Sequence, residues 1–336
     1  FEKSHGRVLF KNVYSKLTHP PFNMSSMDGF AIRSKDSEKI KIFDVIDEIT
    51  AGHPSSKKVK KNQVIRIFTG GQMPLGSNSV IIEENTKMLS KKKISINKIV
   101  RNGEHVRHKG KDFKVNQLLL RKDKVLTARD IGLLASSNNP LISVRKKPMI
   151  GIVSTGDELI KPGVPLKDGL IYSSISPVLS SLMENFGAEV VDLGTAKDNL
   201  YSIKKIFKNK NKFDMIITIG GISIGKKDLV KNALIDMGLV IKFWKVAMRP
   251  GKPLMFGMLN DLPIVGLPGN PVSSIICTLI FILPSIIKML GANFHFKGNS
   301  YATLLNDIPK NDQRETYLRA FSSKNKDGVN LVKVLD

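Results

Sequence analysis

The chain has 336 residues, 53 Lys+Arg against 29 Asp+Glu for a formal net charge of +24, and 41% hydrophobic residues. That is enough apolar material for about two or three folded domains and too much for a disordered chain. One cysteine, Cys277, excludes a disulfide framework and any Cys-rich zinc or iron–sulfur centre within a single chain. The sequence opens on Phe1 with no signal or targeting segment and reads as a chain without its natural start.

In chain order, residues 39–115 carry short β-like runs at 41–45, 64–68, 80–82 and 93–96, separated by Gly, Pro and Ser turns. They predict a small β domain. Residues 125–136 have helical spacing, with Thr127 as the N-cap. From Met149 onward, apolar runs alternate with helical periods, the mark of a parallel α/β sheet. Strands are expected at 149–153, 188–193, 213–219, 240–246, 254–258 and 262–266, and helices at 174–186, from Asn199 to about 208, and at 227–237. Residues 271–290 are almost long enough to span a bilayer. Two serines at one end, Pro284 inside and Lys288 near the other end favour a buried helix that stops at Gly291. After it comes a β-rich segment of only about two strands, an incomplete domain.

The expected fold class is therefore α/β and multidomain. Its centre is a three-layer α/β domain (147–292) with a small inserted β domain (37–112). A helical and extended N-terminal domain (1–36 and 113–146) and the short C-terminal β domain (293–336) complete it.

Lysine runs at 57–61 and 91–93, with a basic stretch at 145–147, suggest nucleic acid at first sight. No helix-turn-helix, RNP or zinc-finger pattern accompanies them, and aromatics do not interleave with the cations. Neither a nucleic-acid nor a membrane partner is expected, and the protein is read as cytoplasmic. A surface this positive would still draw in small anions.

Four loops within the α/β unit suit anions. Gly220, Gly221, Ser223 and Gly225 follow an apolar strand and precede a helix, where backbone N–H groups and the helix dipole attract phosphate. The spacing imitates a P-loop, but Lys227 stands where the magnesium-binding Ser or Thr would be, so an NTPase is excluded. Thr155, Gly156, Asp157 and Glu158 also follow a strand, at the edge where open α/β sheets bind ligands. Arg249 and Lys252 put two cations on a proline-rich turn, and Pro268, Gly269, Asn270 and Ser273 open the long apolar helix. No Ser-His-Asp order and no His-x-x-x-His spacing occur.

Taken together, these strings resemble the molybdopterin molybdenumtransferases, the family that includes the C-terminal domain of gephyrin. The resemblance begins at Gly6-Arg7-Val8-Leu9 and covers nearly the whole chain. It runs through Ser25-Ser26-Met27-Asp28-Gly29-Phe30-Ala31, Thr69-Gly70-Gly71-Gln72-Met73-Pro74 with 80–86, and Arg107-His108-Lys109-Gly110-Lys111-Asp112. The four loops and the stretch 314–320 complete the order. The sequence departs from the family pattern at Tyr172-Ser173-Ser174-Ile175, where Tyr-Asp-Ser-Asn is usual, on a loop that would contact the nucleotide or pterin.

The resemblance implies insertion of molybdate into adenylylated molybdopterin, with release of AMP and with Mg2+ present. It implies pterin and phosphate binding by Thr155, Gly156, Asp157, Gly220, Gly221, Ser223, Gly225, Arg249, Pro268, Gly269, Asn270 and Ser273. Catalytic roles would fall to Asp28, Asp112, Glu158, Asp228 and Lys252, with Asp228 and Asp157 holding Mg2+. It further implies a homodimer in which one subunit's N-terminal region completes the other's cleft, and contact with a molybdopterin adenylyltransferase. The alternatives are a gephyrin-type scaffold and an adenylyltransferase of the same pterin-binding fold.

Overall fold

The computed structural model describes residues 1–197, 199–221, 229–292, 300–308 and 310–335. The chain divides into two compact units. The first comprises 1–5, 11–122 and 126–143; the second comprises 6–10, 123–125 and 144–336.

The first unit is built on a six-stranded sheet of β1 (Gly29–Ile32), β2 (Ile42–Ile49), β3 (Gln63–Ile67), β4 (Ser79–Ile82), β5 (Thr86–Ser90) and β6 (Lys93–Ile96). Its strand order is β4-β1-β3-β2-β6-β5, with only β2 and β3 parallel. The two-residue period of a strand splits β1 between two cores. Phe30 and Ile32 join Phe43, Val64 and Ile81 on one face, and Ala31 joins Ile49, Ile65 and Val80 on the other. A Cβ on Gly29 would fall 2.0 Å from the Ile81 carbonyl oxygen, so the β1–β4 approach requires glycine here. Helix α1 (Ala128–Ser136) starts at the expected cap: Thr127 and Asp130 form a reciprocal capping box, with Thr127 N donating to Asp130 Oδ2 at 2.8 Å.

The second unit carries a six-stranded sheet of β7 (Met149–Thr155), β8 (Glu189–Ala196), β9 (Met215–Ile219), β10 (Leu239–Trp244), β11 (Met255–Leu259) and β12 (Leu262–Leu267). The order is β8-β7-β9-β12-β11-β10. The first four are mutually parallel, and β11 and β10 add an antiparallel edge. All five β9 residues are buried, as a sheet covered on both faces requires. Ile217 and Ile219 face α2 (Ile175–Asn185) and the long helix after Pro271, whereas Ile216 faces α3 (Leu200–Ile206) and α4 (Leu229–Asp236). The result is three layers.

The long helix runs as α5 (Pro271–Cys277), a π-helical turn Thr278–Ile282, and α6 (Leu283–Leu290). Pro284 has no N–H for the carbonyl one turn back, which accounts for the widened turn just before it. By length and composition the helix could cross a membrane. Its Leu283, Ile286 and Leu290 instead pack into the same core as β7 and β9, and Gly291 ends it in the left-handed conformation (φ 57°). Near the C-terminus, β13 (Ala320–Lys324) and β14 (Asn330–Val334) form a hairpin, and Glu315–Thr316 pairs in parallel with Met248–Arg249.

Cys277 is fully buried beneath the turn at Gly251, its Sγ 3.8 Å from the Gly251 carbonyl oxygen. Burial pushes the thiol from the ordinary 9.0 up to about 11. In the fold it stays protonated where the unfolded chain ionises, so its contribution is intact below pH ~9 and is lost as pH rises toward ~11. Wild-type unfolding free energy should fall by about 2–3 kcal/mol more than that of Cys277→Ala across this window. Urea melts at the two pH values check this; parallel curves for the two proteins would refute it.

Candidate functional site

The parallel strands β7, β9 and β12 end together, and the loops leaving them meet at one edge. Thr155 closes β7, and its hydroxyl donates to the Ile219 carbonyl at 3.2 Å, tying the end of β7 to that of β9. Gly220 N donates to the Leu267 carbonyl at 2.9 Å, which ties β9 to β12. Gly220 and Gly221 both have positive φ, +85° and +66°. A Cβ on Gly220 would lie 2.9 Å from Thr155 O, and one on Gly221 2.3 Å from Val230 Cγ2. Glycine at both places lets the turn sit flush against β7 and the first turn of α4.

The loop that follows Leu267 is fixed from within, by its own hydrogen bonds. Asn270 caps α5, its Oδ1 accepting from Ser273 N at 3.2 Å and its carbonyl from Ser274 N at 3.0 Å. Ser274 Oγ, fully buried, donates to the Pro268 carbonyl and locks the turn. A Cβ on Gly269 would stand 3.7 Å from Gly220 Cα, so this turn and the glycine turn are direct neighbours.

Acidic groups flank these donors. Gly156 has φ +147°, and the Glu158 carboxylate folds back over it, 2.7 Å from where a Cβ would be. Asp157 and Glu158 are exposed. Two further cations reach the same sheet edge at the end of β10. Lys231 Nζ lies 3.8 Å and Lys245 Nζ 4.4 Å from the Trp244 ring centroid, and Lys245 holds a φ of 72°. Exposed Lys252 and Arg249 lie on the turn packed against α5. A Cβ on Gly251 of that turn would be 2.8 Å from Cys277 Sγ. Arg249, Lys310, Asp312 and Tyr317 line a cavity of about 380 Å3, and the Arg314 guanidinium holds Asp312 down at about 2.

The structure thus gathers Thr155, Gly156, Glu158, Gly220, Gly221, Pro268, Gly269, Asn270 and Ser273 in adjoining loops. Ser223, Gly225 and Asp228 lie outside the described residues. Asp28 and Asp112 belong to the first unit. Asp28 Oδ1 accepts from Thr69 N at 2.7 Å and Thr69 Oγ1 at 2.8 Å, which, with Arg66 nearby, holds its carboxyl below the usual range. Asp112 pairs with Arg107 and lies 3.6 Å from His19 Nε2. Sequence reasoning did not single out Ser274 or Thr69 as supports; the Pro-rich turn and the Thr-Gly pair were their only signals. At the departing loop, Ser173 Oγ lies 3.3 Å from Ser154 Oγ, and Ser174 occupies the N-cap position of α2 without a side-chain cap bond.

Among the described residues, no three His, Cys, Asp or Glu side chains gather as a metal cage. Mg2+ commonly takes one or two carboxylates together with phosphate oxygens. The hard carboxylate oxygens of Asp157 and Glu158, exposed beside the Gly220–Gly221 turn, are of the kind Mg2+ takes.

Residues 1–137 match the family model described as the MoeA N-terminal region (domain I and II), and residues 151–288 that of a probable molybdopterin binding domain. The chain is 32% identical over 338 residues to a molybdopterin molybdenumtransferase of Staphylococcus epidermidis, covering 98% of this chain and 80% of the relative. It is 33% identical over 291 residues to one of Haemophilus influenzae, covering 86% of this chain and 72% of the relative. A crystal structure of a molybdopterin biosynthesis MoeA protein from Pyrococcus horikoshii superposes with a TM-score of 0.81 at 28% identity. The match covers 100% of this chain and 83% of that one.

Proposed function

The chain belongs to the molybdopterin molybdenumtransferase family, and from that premise we propose that it transfers molybdate into adenylylated molybdopterin and releases AMP. The observation that carries this reading is the meeting of the Gly220–Gly221 turn with the Asn270-capped helix start, held against Thr155. The N–H groups of Gly220, Ser273 and Ser274 are taken up in fixing the turns. Those of Gly269 and Val272 at the helix start would therefore serve the phosphates of the pterin adenylate, and they need no reorganisation as charge moves onto the departing AMP. Lys252 and Arg249 supply the cations for molybdate, and Ser273 adds a hydroxyl. Thr155, Gly156, Pro268 and Gly269 shape the pocket floor. Ser223, Gly225 and Asp228 take the roles expected from sequence.

Mg2+, held by Asp157 and Asp228, would neutralise phosphate charge when bound. Glu158 orients groups around that site, and Asp28, whose carboxyl Thr69 holds below its usual range, and Asp112 take the catalytic roles that the family resemblance implies. We read the protein as a cytoplasmic homodimer that receives its substrate from a molybdopterin adenylyltransferase. The domains proposed are 1–36 with 113–146, 37–112, 147–292 and 293–336.

The test is direct. Purified protein, given adenylylated molybdopterin, molybdate and Mg2+, should release AMP and reconstitute an apo-molybdoenzyme. No AMP and no reconstitution from a folded preparation would overturn the reading.

A further inference from the structure

The two longest lysine runs play no part in the site above, yet the fold brings them together. Residues 57–61 precede β3, and residues 91–92 make the tip between β5 and β6 with Lys93 opening β6, well apart in sequence. In the sheet, β2 lies between β3 and β6, so the runs arrive on either side of one strand. They line an open groove of about 670 Å3, where Lys57, Lys58, Lys60, Lys92 and Lys93 face a single carboxylate, Asp44.

Both runs are anchored. Val59, 1% exposed, sits in one core of this sheet with its N–H bonded to the Leu75 carbonyl at 2.8 Å. Ile94 is fully buried in the other core, and the Lys92 carbonyl accepts from Val45 N at 2.8 Å. Lys57 is engaged, donating to the Ile46 carbonyl at 2.8 Å and lying 3.7 Å from Asp47. No carboxylate among the described residues is ion-paired to Lys58, Lys60, Lys92 or Lys93.

We propose that this groove docks an extended, Asp/Glu-rich segment of a partner protein. Charge complementarity carries the choice: with Lys57 taken up by Asp47, four lysines without an ion pair among the described residues still face the one carboxylate of Asp44, more than a small anion balances. The lining argues against nucleic acid. It contains no aromatic side chain for base stacking and no arginine, the residue best suited to phosphate backbones. Lysines on fixed backbone with mobile ammonium ends suit side-chain carboxylates spaced along an extended peptide.

The experiment uses the whole chain and two fluorescein-labelled probes of equal length, an oligoglutamate peptide and an oligothymidylate, followed by anisotropy. The peptide should bind more tightly than the oligothymidylate, with affinity falling steeply in salt. The combined substitution Lys58→Gln, Lys60→Gln, Lys92→Gln and Lys93→Gln should weaken peptide binding about tenfold or more. Removing the same charge elsewhere, by Lys242→Gln, Lys324→Gln, Lys326→Gln and Lys333→Gln, should change it less than about twofold. Should the groove variant fail to melt cooperatively, Lys92→Gln with Lys93→Gln at the hairpin tip makes the same test. Three results would overturn the proposal. These are equal losses in both sets, tighter oligothymidylate binding that the groove variant abolishes, and displacement of the peptide by inorganic phosphate at equal concentration.

Discussion

Replacing Gly221 with alanine is expected to destabilise the second unit by about 2–5 kcal/mol and to lower AMP release roughly a hundredfold or more. Two effects add. At φ +66° an alanine costs about 1–2 kcal/mol simply for adopting a left-handed backbone. Its Cβ would also meet Val230 Cγ2 at 2.3 Å and Thr155 Oγ1 at 2.9 Å. Val230 is buried in the first turn of α4 and has little room to retreat, so the helix start or the turn must shift, adding about 1–3 kcal/mol. A displacement of about 1 Å in a turn that positions phosphate is enough for the loss of rate. Gly238→Ala separates the two effects, because Gly238 also has positive φ (+96°) but nothing within 4 Å of its Cβ. It should lose only the backbone share and keep wild-type turnover. Thermal melts and AMP release measured on both variants decide. Equal behaviour would mean that crowding at Val230 is not what fixes the turn.

Most of this edge was legible from sequence because it is written in residues with few uses. Gly-Gly after an apolar strand and Asn-Pro before a helix each admit few backbone solutions, and the structure has both where expected, at 220–221 and 270–271. The strand runs of the α/β unit were equally plain, since burial on both faces leaves β9 wholly apolar. Other features left no local trace. The strand β1 is only four residues long and splits its side chains between two cores, and β5 is exposed along most of its length, so neither shows a one-sided alternation. The parts of the candidate site that depend on distant contacts were invisible too. Nothing within the sequence near Asp28 says that Thr69 will donate to it twice, and nothing near Ser274 says that its hydroxyl will close the Pro268 turn. The lysines at 91–93 are, in sequence, a basic run without a nucleic-acid motif; only the sheet order sets them beside 57–61.

Asn270→Asp should leave stability unchanged or raise it by up to about 1 kcal/mol while lowering kcat/KM on the order of a hundredfold. The aspartate oxygen can still accept from Ser273 N, now 3.2 Å from Asn270 Oδ1, and aspartate caps helices as well as asparagine does. A negative charge at a helix N-terminus is favourable to the fold by itself. For substrate the sign reverses. A bound anion about 5 Å away would feel roughly 3 kcal/mol of repulsion at an effective dielectric of about 20, which corresponds to about two orders of magnitude in affinity. Asn270→Ala provides the contrast. It removes the cap, at about 1 kcal/mol of stability, but adds no charge, so its catalytic loss should stay under about tenfold. Salt separates them further, since screening should recover part of the Asp variant's deficit and none of the Ala variant's. Melting temperatures and AMP-release kinetics at two ionic strengths provide all of these comparisons. If Asn270→Asp keeps wild-type kcat/KM, no phosphate or molybdate comes near this turn, and the anion must bind elsewhere along the sheet edge.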